Sequence, residues 1–87
     1  QQNYPNPFNP STQIRYSLPV SSNVKVVVYN MLGSKVRTLY NGNQDAGYRS
    51  VMWNATNDNG DPVAAGMYIY TIEADGYFAS KKMILLK

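Results

Sequence analysis

Between Thr12 and Leu86 the chain consists of short runs in which apolar and polar side chains alternate with a period of two, and no stretch carries the 3.6-residue repeat of an amphipathic helix. Thr12, Ile14, Tyr16 and Leu18 alternate with Gln13, Arg15 and Ser17 until Pro19 stops the run. Val24, Val26 and Val28 form the next inward set, opposed by Lys25, Val27 and Tyr29, and their β-branched crowding disfavours a helix. Asn30-Met31-Leu32-Gly33 reads as a turn with Gly33 holding positive φ, after which Lys35 to Tyr40 extends around Val36 and Leu39 until Asn41-Gly42 closes that strand. From Gly47 to Asn54, Arg49, Val51 and Trp53 share one side and Ser50 and Met52 the other. That places the lone tryptophan in the core, where its bulk fills the space between two sheets. Ala55 to Ala65, rich in Asn, Asp, Gly and Pro, is a long polar loop. Beyond it Tyr68, Tyr70 and Ile72 alternate with Met67, Ile69 and Thr71, and Asp75-Gly76 is a two-residue hairpin signal that sets Tyr77 to Leu86 antiparallel to Gly66 to Ala74. Roughly six to seven strands at turn spacings of about 8 to 12 residues predict an all-β fold, an immunoglobulin-like antiparallel β-sandwich; a small barrel is the alternative.

A length of 87 residues supplies one domain and one core, with roughly 60 to 65% of the unfolded surface buried on folding. With Cys 0 there are no disulfides, thiolate metal sites or cysteine nucleophiles, and with His 0 the commonest general base and transition-metal ligand is missing. The net charge of +3 is scattered except for Lys81, Lys82 and Lys87, so the chain lacks the concentrated basic surface that tracks nucleic-acid phosphates. No apolar stretch approaches the ~20 residues of a membrane span. The N-terminal residues also lack the charged and apolar regions of a signal peptide, so an exported chain of this kind takes its leader from a longer parent.

The two ends differ in kind. Residues 1–10, with Pro5, Pro7 and Pro10, suit neither a helix nor a central strand, because each ring fixes φ and removes an N–H donor; they read as a stiff lead-in to a sandwich spanning residues 11–87. Lys81-Lys82-Met83-Ile84-Leu85-Leu86-Lys87 is an apolar run bracketed by lysines whose ordered home is a sheet. Lysines at such a position commonly guard an apolar edge strand from aggregation, and a guarded edge can also be a selective one.

Six fragments carry a resemblance. Asn3-Tyr4-Pro5-Asn6-Pro7-Phe8-Asn9-Pro10-Ser11-Thr12, Ile14-Arg15-Tyr16-Ser17-Leu18-Pro19, Val28-Tyr29-Asn30-Met31-Leu32-Gly33, Val36-Arg37-Thr38-Leu39, Gly66-Met67-Tyr68-Ile69-Tyr70 and Lys82-Met83-Ile84-Leu85-Leu86-Lys87, in this order, resemble the type A C-terminal sorting domain of the type IX secretion system. The middle, from Trp53-Asn54 through Asp58-Asn59-Gly60 and Val63 to Gly66-Met67-Tyr68, is also similar to the immunoglobulin-like domain of the flagellar hook-capping protein; Ala55 stands where a glycine is common. The sorting-domain resemblance implies a non-catalytic module without cofactor. It would direct a larger cargo from the periplasm across the outer membrane to the cell surface or the medium. Its implied partners are the type IX translocon, a processing peptidase and an upstream cargo domain in the same chain. By that likeness Lys81, Lys82, Met83, Ile84, Leu85, Leu86 and Lys87 hold the sorting signal, and Asn3, Tyr4, Pro5, Asn6, Pro7 and Phe8 mark the cargo boundary. Strand addition at a sheet edge is one route by which a translocon reads such a signal.

Other readings compete. Asn57, Asp58, Asn59 and Asp61 invite a calcium loop, but aligning Gly60 with the EF-hand glycine puts Ala55 and Gly66 where acidic ligands belong, which favours a polar turn over an irregular ion site. Tyr40, Tyr48 and Tyr77 are candidates for a sugar platform, so a carbohydrate-binding or structural accessory module of a secreted enzyme is the alternative function. Asn54-Ala55-Thr56 fits a glycosylation sequon by chance. Catalysis is the weakest class, since Asp45, Asp58, Asp61, Glu73 and Asp75 lie mostly at turns, and Ser50 and Ser80 have no histidine to activate them.

Overall fold

A computed structural model describes residues 11–86 of the chain; the lead-in 1–10, with Asn3, Tyr4, Pro5, Asn6, Pro7 and Phe8, and the final Lys87 lie outside the described residues. Six strands follow one another: β1 (Thr12–Leu18), β2 (Ser22–Asn30), β3 (Lys35–Gln44), β4 (Gly47–Trp53), β5 (Gly66–Ala74) and β6 (Tyr77–Leu85). β1 and β4 form a two-stranded sheet, and the other four form a sheet of order β3-β2-β5-β6, every pairing antiparallel. The strands therefore build a sandwich of two separate sheets, as the alternation predicts, and not a closed barrel.

The core lies between the sheets and is filled by the predicted inward sets. Ile14, Tyr16 and Leu18 of β1 meet Val24, Val26 and Val28 of β2, Tyr68, Tyr70 and Ile72 of β5, and Met83 and Leu85 of β6. Trp53 is fully buried among them. Its indole Nε1–H donates to the Thr56 carbonyl at 2.8 Å, and its ring meets Tyr68 edge-on with centroids 5.2 Å apart. One side chain thus joins the small sheet, the large sheet and the start of the long loop, while its polar atom is satisfied.

The turns follow local chemistry. Gly33 takes φ 85 in the β2–β3 turn, where Asn30 Oδ1 accepts the N–H groups of Leu32 and Ser34. Gly76 takes φ 71 in the β5–β6 hairpin, as an Asp-Gly turn requires. Ala55 has φ 63, the left-handed region that explains the glycine common there. Holding an alanine in that region costs roughly 1–2 kcal/mol. Its methyl group is buried in the core, which returns about 0.8 kcal/mol.

Two expectations differ from the structure. Asn41-Gly42 does not close β3, because Val24, Asn23 and Ser22 of β2 pair with Gly42, Asn43 and Gln44 and carry the ladder to Gln44. Tyr40 lays its ring against Gly42 and donates its hydroxyl to the Asn43 carbonyl at 2.7 Å, so that glycine serves packing within a strand. Val27, expected on the outward face, is 1% exposed. β2 is an inner strand flanked by β3 and β5, where Thr38 and Thr71 stand opposite Val27.

Two outcomes test this core. Trp53→Ala should lower unfolding free energy by about 3–5 kcal/mol, a large part of the total for a domain of this size, as measured by urea denaturation. Tyr16 and Tyr68 have pKa values raised above the ordinary tyrosine value of 10.0, first because burial disfavours the phenolate; for Tyr16 the hydrogen bond to Gln44 acts the other way. The folded chain keeps these protons to higher pH than the unfolded chain, so their contribution is intact below about pH 10 and lost as pH rises through the raised values. Thermal melts should show stability falling above that pH, with a shallower fall in Tyr16→Phe and Tyr68→Phe; an unchanged slope in both would refute this assignment.

Candidate functional site

β6 forms one border of the four-stranded sheet, hydrogen-bonded to β5 in a register that sets Tyr68 opposite Met83 and Gly66 opposite Leu85. Period-two alternation divides the candidate signal between core and solvent. Met83 and Leu85 point inward at 0% and 1% exposure, whereas Ile84 and Leu86 are 40% and 48% exposed. Lys82 and Ile84 lie on the outer face opposite Ile69 and Met67, making a mixed basic and apolar patch in which Met67 is also exposed. Lys81 shares the alternation of Met83 but is exposed, because the two-stranded sheet leaves that part of β6 uncovered. The run read as one signal is therefore half anchor and half surface.

The opposite border of the sheet is closed from within. The N–H of Asp58 donates to the Val36 carbonyl, and Asp58 Oδ1 accepts the Thr38 N–H, both at 3.0 Å. Arg37 Nη1 reaches Thr56 Oγ1 and the Asn57 carbonyl. The long loop thus lies along β3 and occupies backbone groups that an exposed edge would otherwise offer to another chain. Asn57 Oδ1 accepts the N–H groups of Asn59 and Asp61, each at 3.0 Å, so the residues read as a possible calcium loop act as a polar turn and an edge clamp. Among the described residues no group of three or more acids is placed to hold a metal. Asp45, Asp58, Asp61, Glu73 and Asp75 are all exposed.

Of the three tyrosines considered for a sugar platform, the fold separates one and gathers two. Tyr40 is half-buried against β3, while Tyr48 and Tyr77 are 88% and 52% exposed and line the same groove at the hairpin end of the sandwich. Sequence spacing gave no hint of this, since Tyr48 and Tyr77 belong to different sheets.

Residues 9–77 match the family of the FlgD Ig-like domain. The chain belongs to that family. The match ends at the first residue of β6, so most of that strand lies beyond it. No curated protein matches this Ig-like domain. Among solved structures, FlgD from P. aeruginosa is 31% identical, with a TM-score of 0.68, over 85% of this chain and 60% of its own. Dimeric latent PorU from Porphyromonas gingivalis is 23% identical, with a TM-score of 0.75, over 98% of this chain and 9% of its own. PorZ from the same bacterium, an essential surface component of its type IX secretion system, is 21% identical, with a TM-score of 0.64, over 99% of this chain and 11% of its own. The chain thus spans less than two thirds of each of these proteins, and the latter two likenesses establish the fold alone.

The division of β6 into anchor and surface has a measurable consequence. Met83→Asp, which puts a carboxylate into the core, should destabilise the domain by roughly 4 kcal/mol or more. Ile84→Asp, one residue along and facing outward, should change stability by less than about 1 kcal/mol in the same urea titration. Equal losses would show that the two residues do not occupy opposite faces.

Proposed function

We propose that this Ig-like domain is a non-catalytic sorting module that carries an upstream cargo from the periplasm across the outer membrane through a type IX secretion system, to the cell surface or the medium. The observation that carries the reading is the construction of β6, whose inward residues Met83 and Leu85 fix the strand while Lys82 and Ile84 face outward and Lys81 and Leu86 are exposed beside them. A translocon serving unrelated cargoes needs a constant patch on a scaffold that folds without them, and a core-anchored strand offers one. The likeness to PorU and PorZ over 98% and 99% of the chain supports the reading, as do the sorting-domain fragments at both ends.

In this reading the translocon recognises the basic and apolar side chains of the outer patch, and Asn3 to Phe8 mark the boundary where a processing peptidase acts. Met83 and Leu85 serve the signal indirectly by holding its register. Strand addition along β6 would add backbone hydrogen bonds to this side-chain recognition. A hook-cap role is the second reading, favoured by the 31% identity to FlgD; it leaves most of β6, beyond the family match, without a task.

The test is secretion of a reporter fused ahead of the 87 residues and supplied with an export leader, in a bacterium that has a type IX system. Lys82→Glu, Ile84→Asp and Leu86→Asp together should hold the reporter in the periplasm while the purified domain keeps its melting temperature. Undiminished secretion of that folded variant overturns the proposed signal. Restoration of motility to a strain lacking its hook-capping protein, without any secretion of the reporter, would favour the second reading instead.

A further inference from the structure

A groove of about 580 Å³ opens at the end of the sandwich where the β1–β2 turn, the start of β4 and the β5–β6 hairpin meet. Ser17 and Val20 form one part of its lining, Tyr48 another, and Asp75 and Tyr77 the third. Its size falls within the roughly 300–1,000 Å³ usual for small-ligand sites. Single exposed aromatic residues are ordinary on protein surfaces. Here Tyr48, Tyr77 and Val20, at 88%, 52% and 61% exposure, come from three separate segments and converge on one concavity. A second depression, lined in part by Gln13, Arg15, Arg49 and Ser50, also borders Tyr48, so that ring stands on the ridge between an apolar hollow and one of mixed character.

We propose that this groove is a carbohydrate site, taking a short stretch of polysaccharide across Tyr48 and Tyr77. A pyranose ring has an apolar face of C–H groups and a rim of hydroxyls, and the lining supplies both complements. The tyrosine rings present apolar faces with little conformational entropy to lose. Asp75 accepts hydrogen bonds from two neighbouring hydroxyls, the Ser17 and Ser50 hydroxyls donate and accept along the rim, and the Gln13 amide, whose oxygen already accepts from Arg15 Nε, donates there. The ridge position of Tyr48 suits a chain ligand, since one sugar can stack on its ring while the next lies in the adjoining hollow. The site requires neither a metal nor the outward patch of β6, so it stands independently of the sorting reading.

The experiment is retention of the 87-residue domain by insoluble cellulose, chitin and peptidoglycan, with affinity electrophoresis in laminarin, mannan and dextran. At least one polysaccharide should bind and shift the NMR signals of Tyr48 and Tyr77 while leaving buried Trp53 unmoved. Tyr48→Ala and Tyr77→Ala should each weaken that binding roughly tenfold or more, whereas Tyr48→Phe, which keeps the ring, should retain most of it. Asp75→Asn, which preserves an acceptable hairpin turn, should weaken it less. Retention by none of these polysaccharides overturns the proposal, as does binding that survives loss of both tyrosines. Binding of a synthetic peptide with the sequence of residues 3–10 in place of any polysaccharide would assign the groove to proline-rich segments and overturn it equally.

Discussion

The seating of Trp53 between the sheets is the interaction on which the remaining features depend. A two-stranded sheet has little stability of its own and becomes ordered here by burying one face against a larger partner. Trp53 links the small sheet, the large sheet and the long loop: its ring meets Tyr68 on β5, Tyr68 stands opposite Met83 on β6, and its indole N–H holds the Thr56 carbonyl at the start of the long loop. From this contact one line of packing reaches the candidate signal, and another reaches the loop that closes the β3 border.

Register is the quantity this packing protects. A slip of β6 by one residue against β5 would bury Lys82 and Ile84 and expose Met83 and Leu85, exchanging the core for the surface patch. The inward pair therefore has a consequence beyond stability, because the chemistry shown to solvent depends on which residues are held inside. The two sheet borders express the same economy differently. At β3 the backbone groups are taken by Asp58, so that border offers less to a passing strand, while at β6 the outer face carries lysine and apolar side chains together.

Strand content and facing were legible in the sequence because each strand turns one face to the core between the sheets. Thr12 to Leu18, the inward valines and the alternation around Trp53 all state their burial through period two. The Asp-Gly hairpin was equally plain, since two residues at φ-permissive positions leave few alternatives. What escaped was set by neighbours remote in sequence. Val27 alternates like an exposed residue and is buried because β2 is flanked on both sides, and Asn41-Gly42 looks like a turn yet is held extended by the β2 ladder. The loop from Asn57 to Asp61 shows its polarity but not its target, because nothing local indicates that Asp58 will meet Val36 and Thr38. For the candidate signal, the sequence marks the run and the structure sorts it. In sequence, Lys81 to Lys87 read as one signal; the strand's placement buries Met83 and Leu85 and leaves Lys81, Lys82, Ile84 and Leu86 exposed.

The geometry of β6 also separates the two surfaces of interest. Tyr77 begins the strand beside the groove and Leu85 ends it, an interval of roughly 26 Å at the usual rise of an extended strand. Substitutions at Tyr48 or Tyr77 therefore leave Lys82, Ile84 and Leu86 beyond direct contact, and the converse holds as well. The intervening residues Ala79 and Ser80 pair with Ile72 and Thr71, so the sheet itself fixes the spacing between the ends. A single core thus supports two chemically unlike surfaces: one mixes basic and apolar side chains, and the other joins aromatic rings to hydrogen-bonding groups. Both are held on one frame, and neither needs the other for its shape.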